Sequence, residues 1–169
     1  MGGLPGVGKT TIAASVARRT GANFVRIDAI ETGIALAAFG PSRAVGAAGY
    51  QIGHQIVRSM LLERLDVVVD AVNPVAAARK GWVDLAAEFD VDHLLVEVTC
   101  SDLDLHRRRV EERSADLPGH EMPTWNDVIR LAYEPWPDVD VVVDSADSDD
   151  GAVEAIVALV NRSGSRQGQ

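Results

Sequence analysis

One stretch near the start of the chain, Gly3-Leu4-Pro5-Gly6-Val7-Gly8-Lys9-Thr10, limits the possible folds more than any other feature. It matches G-x-x-x-x-G-K-[ST] at every fixed position. The glycines let a backbone wrap an anion with its N–H groups, and a helix opening directly afterwards adds the positive end of its dipole. Lys9 supplies a point cation for β- and γ-phosphates, and the Thr10 hydroxyl can ligate magnesium. The expected phosphate cradle is therefore Gly3, Leu4, Pro5, Gly6, Val7, Gly8, Lys9, Thr10 and Thr11, with ATP and Mg2+ as its cofactors. A plain Gly-rich turn before a helix is the simpler alternative, but it does not ask for a lysine and a hydroxyl at the end.

The rest of the chain alternates between two hydrophobic periods. Thr10 to Thr20 reads as a helix with Ile12, Ala13, Val16 and Ala17 on one face, and Gly21 stops it. Phe24 to Ile27 reads as a short strand ending at Asp28, and Val67 to Val69 as another ending at Asp70. Between them, about residues 31–64 read as helix broken at Gly40-Pro41, with Ile56, Val57, Met60 and Leu61 on one side. Asn73-Pro74 reads as N-cap and first residue of a helix carrying Val75, Ala78, Trp82, Leu85, Ala86 and Phe89. A strand at Leu94 to Val98 follows, then a capping box at Ser101 to Asp104. Residues 114–123 read as a polar loop, Trp125 to Ala132 as a short amphipathic stretch, Val139 to Val143 as the last strand and Val153 to Val160 as the last helix.

Strands alternating with helices predict an α/β fold in three layers, a mostly parallel sheet of about five strands between helices. Ligands of such sheets sit beyond the carboxyl ends of the strands, where Asp28, Asp70 and Asp144 should gather. The expected domain spans residues 1–162, with a lid at about 106–123 and a disordered tail at 163–169. A phosphate loop should follow a hydrophobic strand, yet only Met1 and Gly2 precede Gly3. The expectation is a missing first strand and a native start upstream of Met1.

The formal charge of −9 weighs against a polyanionic partner. The single cysteine, Cys100, fits a reducing compartment, and no apolar run or leader pattern points to a membrane, so the cytoplasm is expected. The histidines and Cys100 show no metal-ligand spacing.

Taken together, the phosphate loop, Asp28, the run Val67-Val68-Val69-Asp70-Ala71-Val72-Asn73-Pro74, the basic run Arg107-Arg108-Arg109-Val110-Glu111-Glu112-Arg113 and the late Asp144-Ser145 resemble a known group. They are similar to the P-loop kinases that include polynucleotide kinase, zeta toxin and chloramphenicol phosphotransferase. The resemblance implies that Asp28 accepts the proton of an acceptor hydroxyl, a role that also suits general-base chemistry. It implies that Asp70 orients magnesium or its waters beside Thr10. It implies lid arginines over the transferred group, preferably Arg109 and Arg113 with Arg107 and Arg108 as alternates, and an adenine bordered by Asp144 and Ser145. The plainer alternatives are local capping by Asp28 and Asp70 and a solvated basic helix face.

On the acceptor side the polar candidates are Glu31, Arg43, Tyr50, Gln51 and His54, with His54 better explained as a packed or solvated helix histidine. Trp125, Tyr133 and Trp136 are expected in the core rather than in a pocket. The expected activity is transfer of the γ-phosphoryl group of ATP to a hydroxyl of a small-molecule acceptor. Phosphorylation of a polynucleotide 5′-hydroxyl and a non-catalytic nucleotide switch are the other two readings.

Overall fold

The computed structural model describes residues 1–39, 45 and 47–164. The expected break at Gly40-Pro41, Arg43, and residues 165–169 of the tail lie outside the described residues. The described elements run α1 (Lys9–Thr20), β1 (Asn23–Arg26), α2 (Ile27–Ile34), a π-helical turn (Ala35–Phe39), α3 (Ala48–Leu62), β2 (Val67–Asp70), α4 (Ala76–Glu88), β3 (Val96–Thr99), α5 (Leu103–Glu112), α6 (Trp125–Arg130), β4 (Val141–Asp144) and α7 (Asp149–Gly164).

Two parallel pairs make the sheet. β1 lies beside β2, with Arg26 opposite Asp70, and β3 lies beside β4, with Thr99 opposite Asp144. The extreme N-terminal residues join the pairs. Gly2 N donates to Val96 O and Val98 N to Gly2 O, both at 2.8 Å, while Met1 N donates to Val69 O at 2.9 Å and Ala71 N to Met1 O at 3.3 Å. The slot expected for a first strand is thus held by Met1 and Gly2, hydrogen-bonded on both sides. The phosphate loop leaves directly from the middle of the sheet.

Each face of the sheet is covered by helices because each helix carries one apolar stripe. On one face Ile12 and Val16 of α1 meet Val96, Val98 and Val143 of the strands and Val153 and Ile156 of α7. On the other, Val25 packs with Val57 of α3 and Leu85 of α4, and Ile56, Met60, Trp82 and Phe89 close around them. Fully buried side chains such as Ile12 and Ile156 contribute about 1.5–3 kcal/mol each. No helix of the described residues is long and apolar enough to cross a membrane.

Several local boundaries differ from the sequence reading for physical reasons. α2 starts at Ile27, so Asp28 stands in a first helical turn, where the helix dipole favours a carboxylate. Asn73 does not cap α4. Its φ of 51° turns the chain, Val75 is extended, and the helix opens only at Ala76. Asp102, not Ser101, caps α5, its carboxylate accepting from Leu105 N at 2.9 Å. The true capping box is Thr124 with Asp127, each side chain receiving the other's backbone N–H. α7 runs on to Gly164, past the point where the tail was expected to begin.

Candidate active site

The phosphate loop is shaped by its glycines and buttressed from outside. Gly6 and Gly8 have φ of 86° and 88°, a region that residues with a Cβ adopt at a cost. At Gly6 a Cβ would also lie 2.4 Å from Val110 Cγ2, because α5 packs against the loop there. His106, one turn before Val110, donates from Nε2 to Pro5 O at 2.8 Å and meets Trp125 edge-on. Lys9 opens α1 and its side chain is buried. Thr10 stands next to it, half-buried at the helix N-terminus, with Thr11 exposed behind it.

Asp28 and Asp70 stand at the carboxyl edge of β1 and β2, and Gly3 of the loop donates to Val72 O just beyond Asp70. Asp70 is 1% exposed, and neither of its carboxylate oxygens has a hydrogen-bond partner. Buried polar atoms normally find partners, so an orphaned carboxylate at this edge marks a place for a ligand. Magnesium or its waters would fit that demand, and Thr10, at the N-terminus of α1, offers a hydroxyl oxygen of the right kind. Among the described residues no three His, Cys, Asp or Glu gather as a metal site.

Asp28 is mostly buried, and its Oδ2 lies 3.5 Å from a guanidinium nitrogen of Arg26. Arg26 also grips Asp116 with both terminal nitrogens, at 2.5 and 3.2 Å. The hydrogen bonds from Arg26 hold the Asp116 carboxyl below its usual range. Glu31, one turn beyond Asp28, is pushed up to about 7 by burial and then by the charge of Asp28. Tyr50 accepts from Asn73 N at 2.9 Å, and burial raises its phenol to about 12. Gln51 is exposed on the same helix. His54 meets Trp82 edge-on with centroids 4.1 Å apart, the packed one of the two roles expected for it, and burial lowers its pKa.

The basic helix divides its arginines. Arg109 donates to Ser145 Oγ at 2.8 Å and to Ser145 O at 3.2 Å. A Cβ on Gly8 would lie 3.7 Å from the same guanidinium and 3.5 Å from Ser145, so both residues border the loop's end. Asp144 accepts from Ser101 N and Ala146 N, bonds that hold its carboxyl below the usual range. Arg113 ends α5 at the entrance to the loop 113–123. Arg107 pairs with Glu111 on the exposed side, and Arg108 is exposed as well.

Residues that the sequence pattern did not single out complete the site. Arg26, Asp116 and His120 carry no motif, and only the adjacency of Arg26 to Asp28 hints at one of them. Asn73 proves to be a buried junction rather than a cap. Its Oδ1 accepts from Trp82 Nε1 at 3.0 Å, its Nδ2 donates to Met1 O at 3.3 Å and its carbonyl accepts from Arg79. Trp136 is buried under the guanidinium of Arg79, Tyr133 bonds Glu97, and Trp125 is half-buried against His106.

A family model described as AAA domain matches residues 1–131. No curated protein is a significant sequence match to the chain. Among solved structures the chain is similar to a putative kinase from Chloroflexus aurantiacus, with a TM-score of 0.76, 19% identity, and coverage of 94% of this chain and 93% of that one. It is similar to the APS kinase CysC of Mycobacterium tuberculosis in complex with AMPPNP and APS, with a TM-score of 0.66, 22% identity, and coverage of 95% and 94%. A gluconokinase from Sinorhizobium meliloti gives a TM-score of 0.66 at 20% identity, covering 99% and 95%. At these identities the structural likeness speaks for the fold, and the family match for kinship. The chain belongs to the AAA domain family and has the P-loop NTPase kinase fold.

Proposed function

We propose that this protein is an ATP- and magnesium-dependent phosphotransferase that moves the γ-phosphoryl group to a hydroxyl of a small molecule. What supports the reading is the buried, orphaned carboxylate of Asp70 at the end of β2, with the partly shielded Asp28 next to Arg26, the strand partner of Asp70, in a chain that also carries the phosphate loop and a buried Lys9. A nucleotide switch needs the first and the last; a proton acceptor beside them is what a transferase adds.

In this reading the loop amides and Lys9 hold the phosphates, and Thr10 and Asp70 hold magnesium, which supplies charge neutralisation on the phosphate oxygens. Asp28 orients the acceptor hydroxyl. The acceptor oxygen forms a bond to the γ-phosphorus as the bond to the ADP oxygen breaks, and the hydroxyl proton passes to Asp28. Arg113, at the mouth of the loop 113–123, is assigned to the transferred group in this reading. Arg109, turned to Ser145, serves the nucleotide side together with Ser145 and Asp144. The similar structures named for APS kinase and gluconokinase support a small acceptor. The likeness to the polynucleotide kinase, zeta toxin and chloramphenicol phosphotransferase group belongs to this proposal too, and the charge of −9 favours its small-molecule members.

An ATP-consumption screen against pooled hydroxyl metabolites, antibiotics and 5′-hydroxyl oligonucleotides tests it. Acceptor-stimulated ADP release that is lost in Lys9→Ala is the expected result. Tight nucleotide binding with no stimulation by any pool would replace the transferase with the switch, and stimulation by the oligonucleotides alone would make it a polynucleotide kinase.

A further inference from the structure

Among the described residues, the loop 113–123 makes polar contacts with Arg26 and Thr32, and both lead to Asp28. Arg26 is shared. Its Nη1 and Nη2 hold Asp116, and its Nη2 also faces the Asp28 carboxylate at 3.5 Å. The guanidinium side chain is only 9% exposed, whereas that of Asp116 is 58% exposed. A shielded guanidinium needs its carboxylates more than a solvated carboxylate needs it, so the arginine is the fixed member and the loop the one that docks.

The second contact runs through Thr32. Its hydroxyl lies 2.7 Å from the Asp28 carbonyl and 2.9 Å from His120 Nδ1. A hydroxyl has one hydrogen, and the carbonyl can only accept it, so His120 Nδ1 carries a hydrogen and donates to Thr32. Next to this contact Gly119 approaches Leu36 so closely that a Cβ there would lie 2.8 Å from Leu36 Cδ2. Asp28 is thus joined to one loop from both ends: its carboxylate by way of Arg26 to Asp116, and its backbone by way of Thr32 to His120.

The geometry points to Arg26 and Thr32 as positioning residues that tie Asp28 to the loop 113–123, so that docking of the loop fixes the proton acceptor in place. This rests on the reading of Asp28 as the group that takes the acceptor's proton. A lysine in place of Arg26 would not serve, because a point cation cannot face two carboxylates in a fixed fork. When the loop lifts, Arg26 is left to Asp28 alone and Thr32 loses its donor. The first turn of α2 then loosens, and the site opens to water at the same moment as the base loses its alignment.

The experiment uses the full chain with Asp116→Ala, His120→Ala, the double variant, Asp116→Glu and Arg26→Lys. The two single variants and their combination change loop residues only, so the packed layers are left intact. Amide exchange is followed in residues 113–123 and 27–32 with MgADP bound. MgATP turnover is divided into transfer to the pooled hydroxyl compounds and hydrolysis to water.

In the double variant, exchange in both segments is expected to rise about tenfold, and transfer to fall about 10- to 100-fold while hydrolysis holds or rises. Asp116→Glu, which can still reach Arg26, should recover most of the transfer; Arg26→Lys should not retain it. Faster exchange in the loop with none in residues 27–32 would overturn the coupling. Equal losses of transfer and hydrolysis would overturn it as well, since that is what a general structural defect produces. Absence of transfer by the unaltered protein would remove the kinase reading instead, and the exchange arm would then decide the coupling by itself.

Discussion

The phosphate wall, Gly3 to Thr10 with α1 behind it, takes its shape from consecutive backbone and is clamped by one neighbouring helix through His106 and Val110. The proposed acceptor wall is assembled from groups far apart in the chain: the Arg26 and Asp116 side chains, those of Thr32 and His120, and the Tyr50 hydroxyl with the backbone N–H of Asn73. On the proposed function the first wall grips a group that every nucleotide shares, so it can be rigid and local. The second would have to admit an acceptor, exclude water and place a base, which calls for contacts that can open. Mutations on the two sides should therefore fail in different ways.

The largest effect is expected on the phosphate side. Lys9→Ala removes the buried cation that the proposed function assigns to the phosphates, and turnover of MgATP should fall on the order of 10³-fold. Circular dichroism should be unchanged, because Lys9 opens α1 and alanine is a good helix former. Water and acceptor should be affected alike. Asp28→Asn is the acceptor-side counterpart. Transfer should fall by about 10²-fold or somewhat more, while nucleotide affinity measured by calorimetry stays within about twofold. If Asp28→Asn weakened the nucleotide as much as Lys9→Ala, the two walls would not be separable functions.

How far each wall was legible follows from this difference. The phosphate wall is a run of adjacent residues whose chemistry is in their order, and Gly3 to Thr10 reads off the chain directly. The strand-end carboxylates Asp28 and Asp70 were also legible, because a parallel sheet brings such ends together. The layers were legible through stripes such as Ile12 with Val16, and Val57 with Met60 and Leu61. Arg26 and Asp116 were not. They are 90 residues apart, and nothing local to Asp116 marks it. Asn73 was misread because Asn before Pro is a good cap signal, and only the tertiary partners Trp82 and Met1 favour the left-handed turn that displaces the helix start. Ser101 lost the cap of α5 to its neighbour Asp102, while Ser101 N was taken up by Asp144.

Asn73 offers a test of the joint between the walls. Asn73→Ala leaves the buried Trp82 N–H without its acceptor and puts a Cβ-bearing residue without a local hydrogen bond at φ 51°. The combined loss should be about 2 kcal/mol, or a fall in Tm of about 4–8 °C, read by thermal denaturation. Asn73→Gly keeps the turn and loses only the hydrogen bonds, so it should cost less. Equal costs for the two would show that the conformation at Asn73 contributes nothing.

Glu31 sharpens the comparison through pH. Burial and the charge of Asp28 raise its carboxyl from 4.5 to about 7 in the folded protein. Between those values the folded state keeps a proton that the unfolded chain has released. Stability therefore declines as pH rises from about 4.5 to 7 and levels off above. Glu31→Gln should equal the natural protein near pH 4 and exceed it at pH 8 by about 1 kcal/mol, after allowance for partial solvent access. Urea titrations at the two pH values measure this. A variant less stable at pH 8 would mean that a cation pairs with the ionised Glu31, so that its charge stabilises the fold instead of straining it.

The smallest effect tests whether α5 keeps one face to the phosphate wall. Arg107 lies on the outer side, 58% exposed, and pairs with Glu111 within the same helix. Arg107→Ala should change stability by less than about 0.5 kcal/mol, measured by urea titration. It should also leave MgATP turnover within about twofold, because Val110 against Gly6 and His106 on Pro5 fix the rotation of the helix. Arg109→Ala, on the inner side, would free Ser145 and should weaken nucleotide binding more. A large loss of turnover in Arg107→Ala with nucleotide binding intact would require α5 to roll during the reaction and bring its outer face over the phosphates. The phosphate wall would then be a moving part as well, and the division between a fixed grip and an opening wall would fail.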